Sequence, residues 1–416
     1  MNLSILLPFI IIPSGIFLCF KERFFFINHP IRTLKFTIEG KNTKEALGSL
    51  SLALAGTLGV GNIVGVTVGL SAGGVGSIFW LFASSVFSSA IKYAEVKLSS
   101  SVGDRGMIGV INRSFKRMGS IISRIYAMTC LLLSLFMGAG IQANAIFDSS
   151  AEALDLSPAP LAAMLAVILV LLLFGGRSVI KRAASFIIPI AAILYSIGCA
   201  AVIIPNLQRL PSLIAEILSQ AFSLKSFAAG ALTFLSASGM REGFARGLLS
   251  NEAGAGTSSF SHDALAPTDA DRAGCFGILE VLFDTAILCP MTAFSILLGN
   301  ESRDFSGSLS SLSDVFLSAL GKSGPILLFF CVLAFAFSTV ICWYYYGSIC
   351  REYLFGKRLR LVYPCLYIFF FVFSYRIGNR SLIPAADTSL LILTLISTAA
   401  TLKNTVKSRS IAPDRL

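Results

Sequence analysis

Charge is scarce in this sequence: Asp, Glu, Lys and Arg make up 13% of 416 residues, while 55% are hydrophobic. A soluble domain carries about a quarter of its residues as charges, so a water-soluble enzyme or binding module is excluded. Histidine is scarcer still, with His29 and His262 alone, both placed in loops, and no HExxH is present. The nine cysteines (Cys19, Cys130, Cys199, Cys275, Cys289, Cys331, Cys342, Cys350 and Cys365) form no CxxC pair and fall mostly in apolar runs. They read as small buried hydrophobes, which leaves no place for a zinc site or a disulfide framework. Enzyme signatures fail on context. GLSAG at Gly69 to Gly73 fits GxSxG but ends an apolar helix with no histidine to serve it, and GVGNIVG at Gly59 to Gly65 is one residue too long for a dinucleotide fingerprint. No cofactor is expected. A signal peptide is not expected either, because no basic segment precedes the first apolar run, while Lys21 and Arg23 follow it.

What is present is a series of apolar runs of about 20 residues, each the length of a membrane span. Eleven are expected: Leu3 to Phe20, Leu47 to Leu70, Gly76 to Leu98, Arg124 to Phe147, Leu161 to Phe174, Ala184 to Ile204 (kinked at Pro189), Phe227 to Leu249, Ala273 to Leu298, Pro325 to Cys350, Leu361 to Tyr375 and Leu382 to Leu402. The net charge of +11 is not gathered into a nucleic-acid-binding patch. It sits in alternate loops, as with Arg105, Arg113, Lys116 and Arg117, with Arg177, Lys181 and Arg182, and with Lys357, Arg358 and Arg360. The positive-inside rule then orients a multi-pass protein of the cell membrane with its N-terminus out and its C-terminus in, with Arg376 and Arg380 alone against the pattern.

The second and seventh spans are not uniform. Gly56, Gly59, Gly61 and Gly65 crowd the middle of the second, with Asn62 among them, and Gly239-Met240-Arg241-Glu242-Gly243 interrupts the seventh. Irregular backbone survives at bilayer depth only where protein or a lined cavity surrounds it. Two broken helices five spans apart are the signature of a five-plus-five inverted-repeat transporter with its site between the breaks. The expected fold is therefore an all-α membrane protein. It has one extra N-terminal helix and a basic segment (1–45), two five-helix repeats (46–206 and 207–402) and a tail (403–416). Gly61, Gly65, Gly69 and Gly73 also repeat every four residues, which on its own would only let a neighbouring helix approach closely.

The blocks GTLGVGNIVGV at Gly56 to Val66, SIFWLFASSVFSSAIKYAEV at Ser77 to Val96 and RGLLSNEAGAGT at Arg246 to Thr257 resemble the alanine or glycine:cation symporter family, which includes the sodium:alanine symporters and D-alanine and glycine permeases. FGGRSVIKRAASFIIP at Phe174 to Pro189, FDTAILC at Phe283 to Cys289 and FAFSTVICWYYYGSICREYL at Phe335 to Leu354 continue the resemblance over nearly the whole chain. It implies a leucine-transporter-like core and import of a small neutral amino acid driven by sodium, or sometimes by protons. The expected partners are that amino acid, the coupling ion and the bilayer, with no obligate protein partner.

From the residues themselves, the half-helix termini at the first break present N–H groups at Val60 and Gly61 to a carboxylate. By resemblance Thr57, Gly59, Gly61 and Asn62 join the pocket, with Gln142 and Asn144 opposite, and Gly239, Met240 and Arg241 belong to the second break. Gln142 and Asn144 serve equally well as interhelical hydrogen-bonding groups. Sodium, also by resemblance, is expected between the Ser338 and Thr339 hydroxyls and the carbonyls of Ala55, Leu58 and Phe335. Against this, serine and threonine in membrane helices commonly bond their own preceding carbonyls. Asp284 lies near mid-bilayer with Glu280 one turn before it, and an acid there is a functional candidate by default. It is either a proton carrier or a structural partner of Arg241 or Arg246.

Some positions depart from the family: Arg241 and Glu242 at the second break, the shortened GDRGMIGV starting at Gly103, Pro290, and the residues after Asp387 and Thr388. Two alternatives therefore stay open, a proton-coupled or diverged transporter of a more polar amino acid and a degenerate protein that transports nothing. A channel is disfavoured, because it needs a pore lined continuously by polar or carbonyl groups.

Overall fold

The computed structural model describes residues 6–38, 43–103, 105–222, 238–262, 269–300 and 307–407, with side chains from Leu47 onward in the second stretch. Among the described residues the secondary structure is helical and there is no strand. The helices used below are α1 (Leu7–Lys21), α2 (Thr43–Thr57), α3 (Val64–Gly73), α4 (Ser77–Val102), α5 (Gly119–Leu133), α6 (Gln142–Leu154), α7 (Pro158–Phe174) and α8 (Gly176–Ile203). They continue with α9 (Ser238–Asn251), α10 (Ser259–His262), α11 (Ala270–Val281), α12 (Cys289–Gly299), α13 (Ser323–Phe355), α14 (Val362–Ile377) and α15 (Asn379–Lys407).

Local chemistry explains several boundaries. Pro158 opens α7 in the first turn, where its missing N–H costs nothing. Gly103 closes α4 in the left-handed conformation (φ 63°) that a residue without a Cβ adopts freely. Two helices widen into π turns, at Ser134–Ile141 between α5 and α6 and at Leu282–Leu288 between α11 and α12. The second ends just before Pro290, which has no N–H with which to close a regular turn.

Among the described residues, five helical stretches are long and apolar enough to cross a membrane: Lys116–Leu154, Gly176–Ala221, Ala270–Gly299, Ser323–Phe355 and Asn379–Val406. The pair Leu47–Thr57 and Val60–Gly73, bent by 58° at the expected break, makes a sixth when counted as one span. The first, fifth and tenth expected spans fall on the shorter apolar helices α1, α7 and α14. The third is α4, a helix whose centre carries Lys92 and Glu95, both buried. The outer half of the seventh span lies outside the described residues.

Gly239, Met240, Arg241, Glu242 and Gly243 lie in the first turns of α9, whose described part begins at Ser238, so the expected break before them falls at the edge of the described residues; the described chain also leaves helical geometry after Asn251. Small residues here serve packing: Cβ atoms at Gly243 and Gly247 would run into α4, and one at Gly73 would run into Glu242 and Gly239. The four-residue glycine ladder on α3 therefore does pack a neighbouring helix. At Gly65, however, nothing lies within 4 Å of a built Cβ.

Candidate functional site

The break in the second span is built by three residues with no regular helical bond to make. The Gly59 N–H turns back to the Thr57 carbonyl (2.8 Å), Gly59 itself is extended (φ −99°, ψ −153°), and Val60–Asn62 form one 3-10 turn before α3 begins. The Val60 N–H, expected to await a carboxylate, donates to Gln142 Oε1 at 3.1 Å. Gln142 thus caps the second half-helix. Gly59 faces the same side chain: a Cβ there would lie 2.9 Å from Gln142 Oε1 and 3.0 Å from Thr339 Oγ1. The break, the fourth span and the ninth span therefore converge at a position where any Cβ must displace Gln142 or Thr339.

Beside this point lies a cavity of about 140 Å³. Val60, Gly61, Val64, Gly65, Val68, Met137, Ile141, Leu249, Ile383, Ala386 and Leu390 form its apolar lining, and Gln142, Arg246, Ser250 and Asp387 are its polar groups. A space of this size admits a small solute and not a drug-sized one. Gly65, with nothing against it, keeps the wall open. Arg246 is held by Glu242 (Nη2 to Oε2, 3.3 Å), while its buried Nε has no hydrogen-bond partner among the described residues. Glu242 also receives Arg241 (3.6 Å), so these three residues form their own ion group. Neither basic residue meets Asp284, and Gly239, Met240 and Arg241 are not part of the cavity lining.

Asp284 has other company. It is fully buried in the second π turn, where Ser250 Oγ donates to its Oδ2 at 2.8 Å and Thr285 Oγ1 to the same oxygen at 2.6 Å. Ser250 Oγ also meets Asn62 Oδ1. A hydroxyl has one proton, so Ser250 serves either that oxygen or Asp284 at any one time. Asp284 Oδ1 is buried with no partner among the described residues. Oxygens from Asn62, Ser250, Asp284 and Thr285 thus gather around one point where spans two, seven and eight meet.

The network continues away from the cavity. Asn251 Nδ2 donates to Thr285 Oγ1 (2.9 Å), and Lys92 Nζ donates to the Asn251 carbonyl (2.7 Å) and faces Glu280 (3.6 Å). Glu280 in turn pairs with His262 Nε2 at 2.7 Å. His262 therefore closes a short helix and is buried, where a loop position was expected. Four titratable side chains lie in one buried chain of contacts.

The remaining expected site residues divide. Thr57 Oγ1 bonds back to Ala53 (3.3 Å) within its own helix, and Asn144 Nδ2 reaches Asn379 Oδ1 (2.8 Å), joining α6 to α15. Ser338 and Thr339 both donate to the Phe335 carbonyl, at 2.8 and 2.9 Å. That is the back-bonding geometry such residues adopt without any ion. Ala55, on the facing helix α2, and Leu58, just past its end, are both buried. Sequence reasoning passed over Lys92, Ser250, Asn251 and the role of His262. Lys92 and Glu95, three residues apart in an apolar helix, were the available signal, since ionisable groups at that depth are rare without a function or a partner.

A sequence profile described as the sodium:alanine symporter family matches residues 1–408. An uncharacterized transporter of Haemophilus influenzae is 30% identical over 85% of this chain and 81% of its own length. The sodium/alanine symporter AgcS of Methanococcus maripaludis is 28% identical over 85% and 81%, and the probable sodium/glutamine symporter GlnT of Bacillus subtilis is 27% identical over 91% and 79%. Among solved structures, the Eremococcus coleocola manganese transporter, crystallised with an aromatic bis-isothiourea compound, superposes with a TM-score of 0.58 at 14% identity. That superposition covers 88% of this chain and 78% of the other, and at such identity it speaks for a shared transporter fold alone.

Proposed function

Because this chain belongs to the sodium:alanine symporter family, a family of amino-acid:cation symporters and not of enzymes, we propose that it imports a small neutral amino acid, alanine or glycine, together with sodium by alternating access. It is a multi-pass membrane protein, and on this reading it sits in the cell membrane with its N-terminus outside. The observation that carries the proposal is the cavity at the break, small and mainly apolar, with one cation and one anion in its lining. A zwitterion needs a partner for each end. Arg246, with a spare Nε, suits the carboxylate, and Asp387 suits the ammonium, while Val60, Val64 and Leu249 leave room for a short apolar side chain.

Two oxygen sets are candidates for the cation. One is Asn62, Ser250, Asp284 and Thr285, which offers a carboxylate oxygen with no other partner. The other is Ser338 and Thr339 with the carbonyls of Ala55, Leu58 and Phe335, where the hydroxyls would have to leave the Phe335 carbonyl to serve. Asp284 also favours the second reading, proton coupling, because a carboxyl with an open oxygen carries a proton as readily as it holds an ion.

The test is uptake of labelled alanine, glycine, serine and glutamine into proteoliposomes under a sodium gradient, a proton gradient or neither. Sodium-driven alanine uptake is expected, with half-saturation raised about tenfold to a hundredfold in Arg246→Gln and in Asp387→Asn, the range for losing a hydrogen bond to a charged group. Loss of sodium dependence in Asp284→Asn but not in Ser338→Ala assigns the ion to the first set, and the reverse assigns it to the second. Uptake driven by protons alone replaces sodium in the proposal. No uptake of any small neutral amino acid by folded protein refutes it.

A further inference from the structure

Away from the break, the ends of four apolar helices meet: α7 stops at Phe174, α8 starts at Gly176, α13 stops at Phe355 and α14 starts at Val362. Between them lies a second cavity, about 510 Å³, lined by Arg177, Arg351 and Arg360 with Tyr344, Tyr345 and Ser348 among its other residues. We propose that this cavity binds the phosphodiester headgroup of an anionic membrane lipid.

Three features support a phosphate ligand. The arginines come from three separate segments yet face one space, and no Asp or Glu lines it. Among the described residues none of the three is paired with a carboxylate. Arg177 stacks on the Tyr345 ring at 5.0 Å, and Arg351 donates to the Gly356 carbonyl at 2.9 Å. Both guanidinium groups are thereby oriented without being neutralised. Arginine held this way recognises a phosphate through paired N–H groups, with the Tyr344 hydroxyl as a further donor.

Two features favour a lipid over phosphate from solution. The cavity sits where apolar helices end, the level at which lipid headgroups lie. Its rim is apolar and open: Phe174 and Leu361 are each 68% exposed. Exposed apolar side chains at that rim offer a surface for the acyl chains of a bound lipid, and dissolved phosphate has no use for them. A basic pocket between helices at one membrane face is the arrangement that holds anionic headgroups.

The experiment is native mass spectrometry of the full chain in detergent, titrated with phosphatidylglycerol, with phosphatidylcholine, and with inorganic phosphate or glycerol phosphate as soluble arms. Phosphatidylglycerol is expected to stay bound and phosphatidylcholine to be lost. The soluble arms should fail to displace the lipid at equal concentration. Each arginine contributes about fivefold near a charged headgroup, so Arg177→Gln/Arg351→Gln/Arg360→Gln is expected to weaken phosphatidylglycerol about a hundredfold. A control pair in another basic loop, Lys116→Gln/Arg117→Gln, should leave it within twofold. If the triple variant fails to fold, Arg360→Gln alone, in an exposed loop, should show the single fivefold loss. Undiminished lipid binding in these variants, an equal loss in the control pair, or displacement by inorganic phosphate would overturn the proposal.

Discussion

Gly59→Ala is the substitution whose effect follows most directly from the geometry. Gly59 has a negative φ of −99°, so alanine meets no left-handed strain there, and space alone decides the outcome. The new methyl would sit 2.9 Å from Gln142 Oε1, 3.1 Å from Gln142 Nε2 and 3.0 Å from Thr339 Oγ1. Ordinary contacts of such atoms lie about half an ångström further out. Gln142 must move, and moving it breaks its bond to the Val60 N–H. An unpaired buried N–H costs about 1–3 kcal/mol and overpacking about as much again. The total is about 2–4 kcal/mol, less than the sum because the shift that relieves the clash is the one that breaks the bond.

A double-mutant cycle with Gln142→Ala isolates this effect, read as unfolding free energy in detergent and as half-saturation for alanine. Removing Gln142 removes two of the three close contacts, so Gly59→Ala should be milder in that background by about 1–2 kcal/mol. Costs that add to within about 0.5 kcal/mol would show that Gly59 and Gln142 do not act through one another and would refute the capping argument.

Two further outcomes are expected. Lys92→Met leaves Glu280 with His262 alone and takes the donor from the Asn251 carbonyl, which should destabilise the protein by about 3–5 kcal/mol, as breaking a buried ion pair does; adding Glu280→Gln should restore part of that in denaturation measurements, and no recovery would mean that the pair is not the unit lost. Glu22, one residue past α1 and buried with neither oxygen hydrogen-bonded among the described residues, is pushed up from its ordinary 4.5 to about 7 by burial. A raised acid is protonated more readily in the folded state, so its contribution to stability is present at acidic pH and declines as pH rises from 4.5 through about 7. Melting curves from pH 5 to 8 should flatten in Glu22→Gln, and an unchanged slope would place the pH dependence elsewhere.

Much of the helical layout was legible in the sequence because bilayer length and glycine clustering are local signals: the bend between Thr57 and Val60 falls where the glycines of the second span crowd. The seventh span shows the limit of that reading. Gly239 and Gly243 are also the small surface by which α9 packs on α3 and α4, a relation between segments far apart in sequence. The same limit explains Asp284. Arg241 or Arg246 is the partner that the sequence offers it, yet Glu242 already holds both, and hydroxyls of Ser250 and Thr285 meet the acid instead. Ser250 and Asn251 stood inside the most recognisable block of the chain, but their partners on other spans were not legible there.

The two widened turns, at Ser134–Ile141 and Leu282–Leu288, bear on how sequences like this one should be compared. Gln142 follows the first directly and Asp284 lies inside the second. In a helix each residue advances the side-chain direction by about 100°, so one residue fewer in either stretch would restore regular winding and swing everything beyond it by that angle. Gln142 would leave the Val60 N–H without any change in its identity. Residue counts between landmarks are thus as informative as the landmarks, and a single-residue deletion in a π turn should silence the site more completely than many substitutions within it.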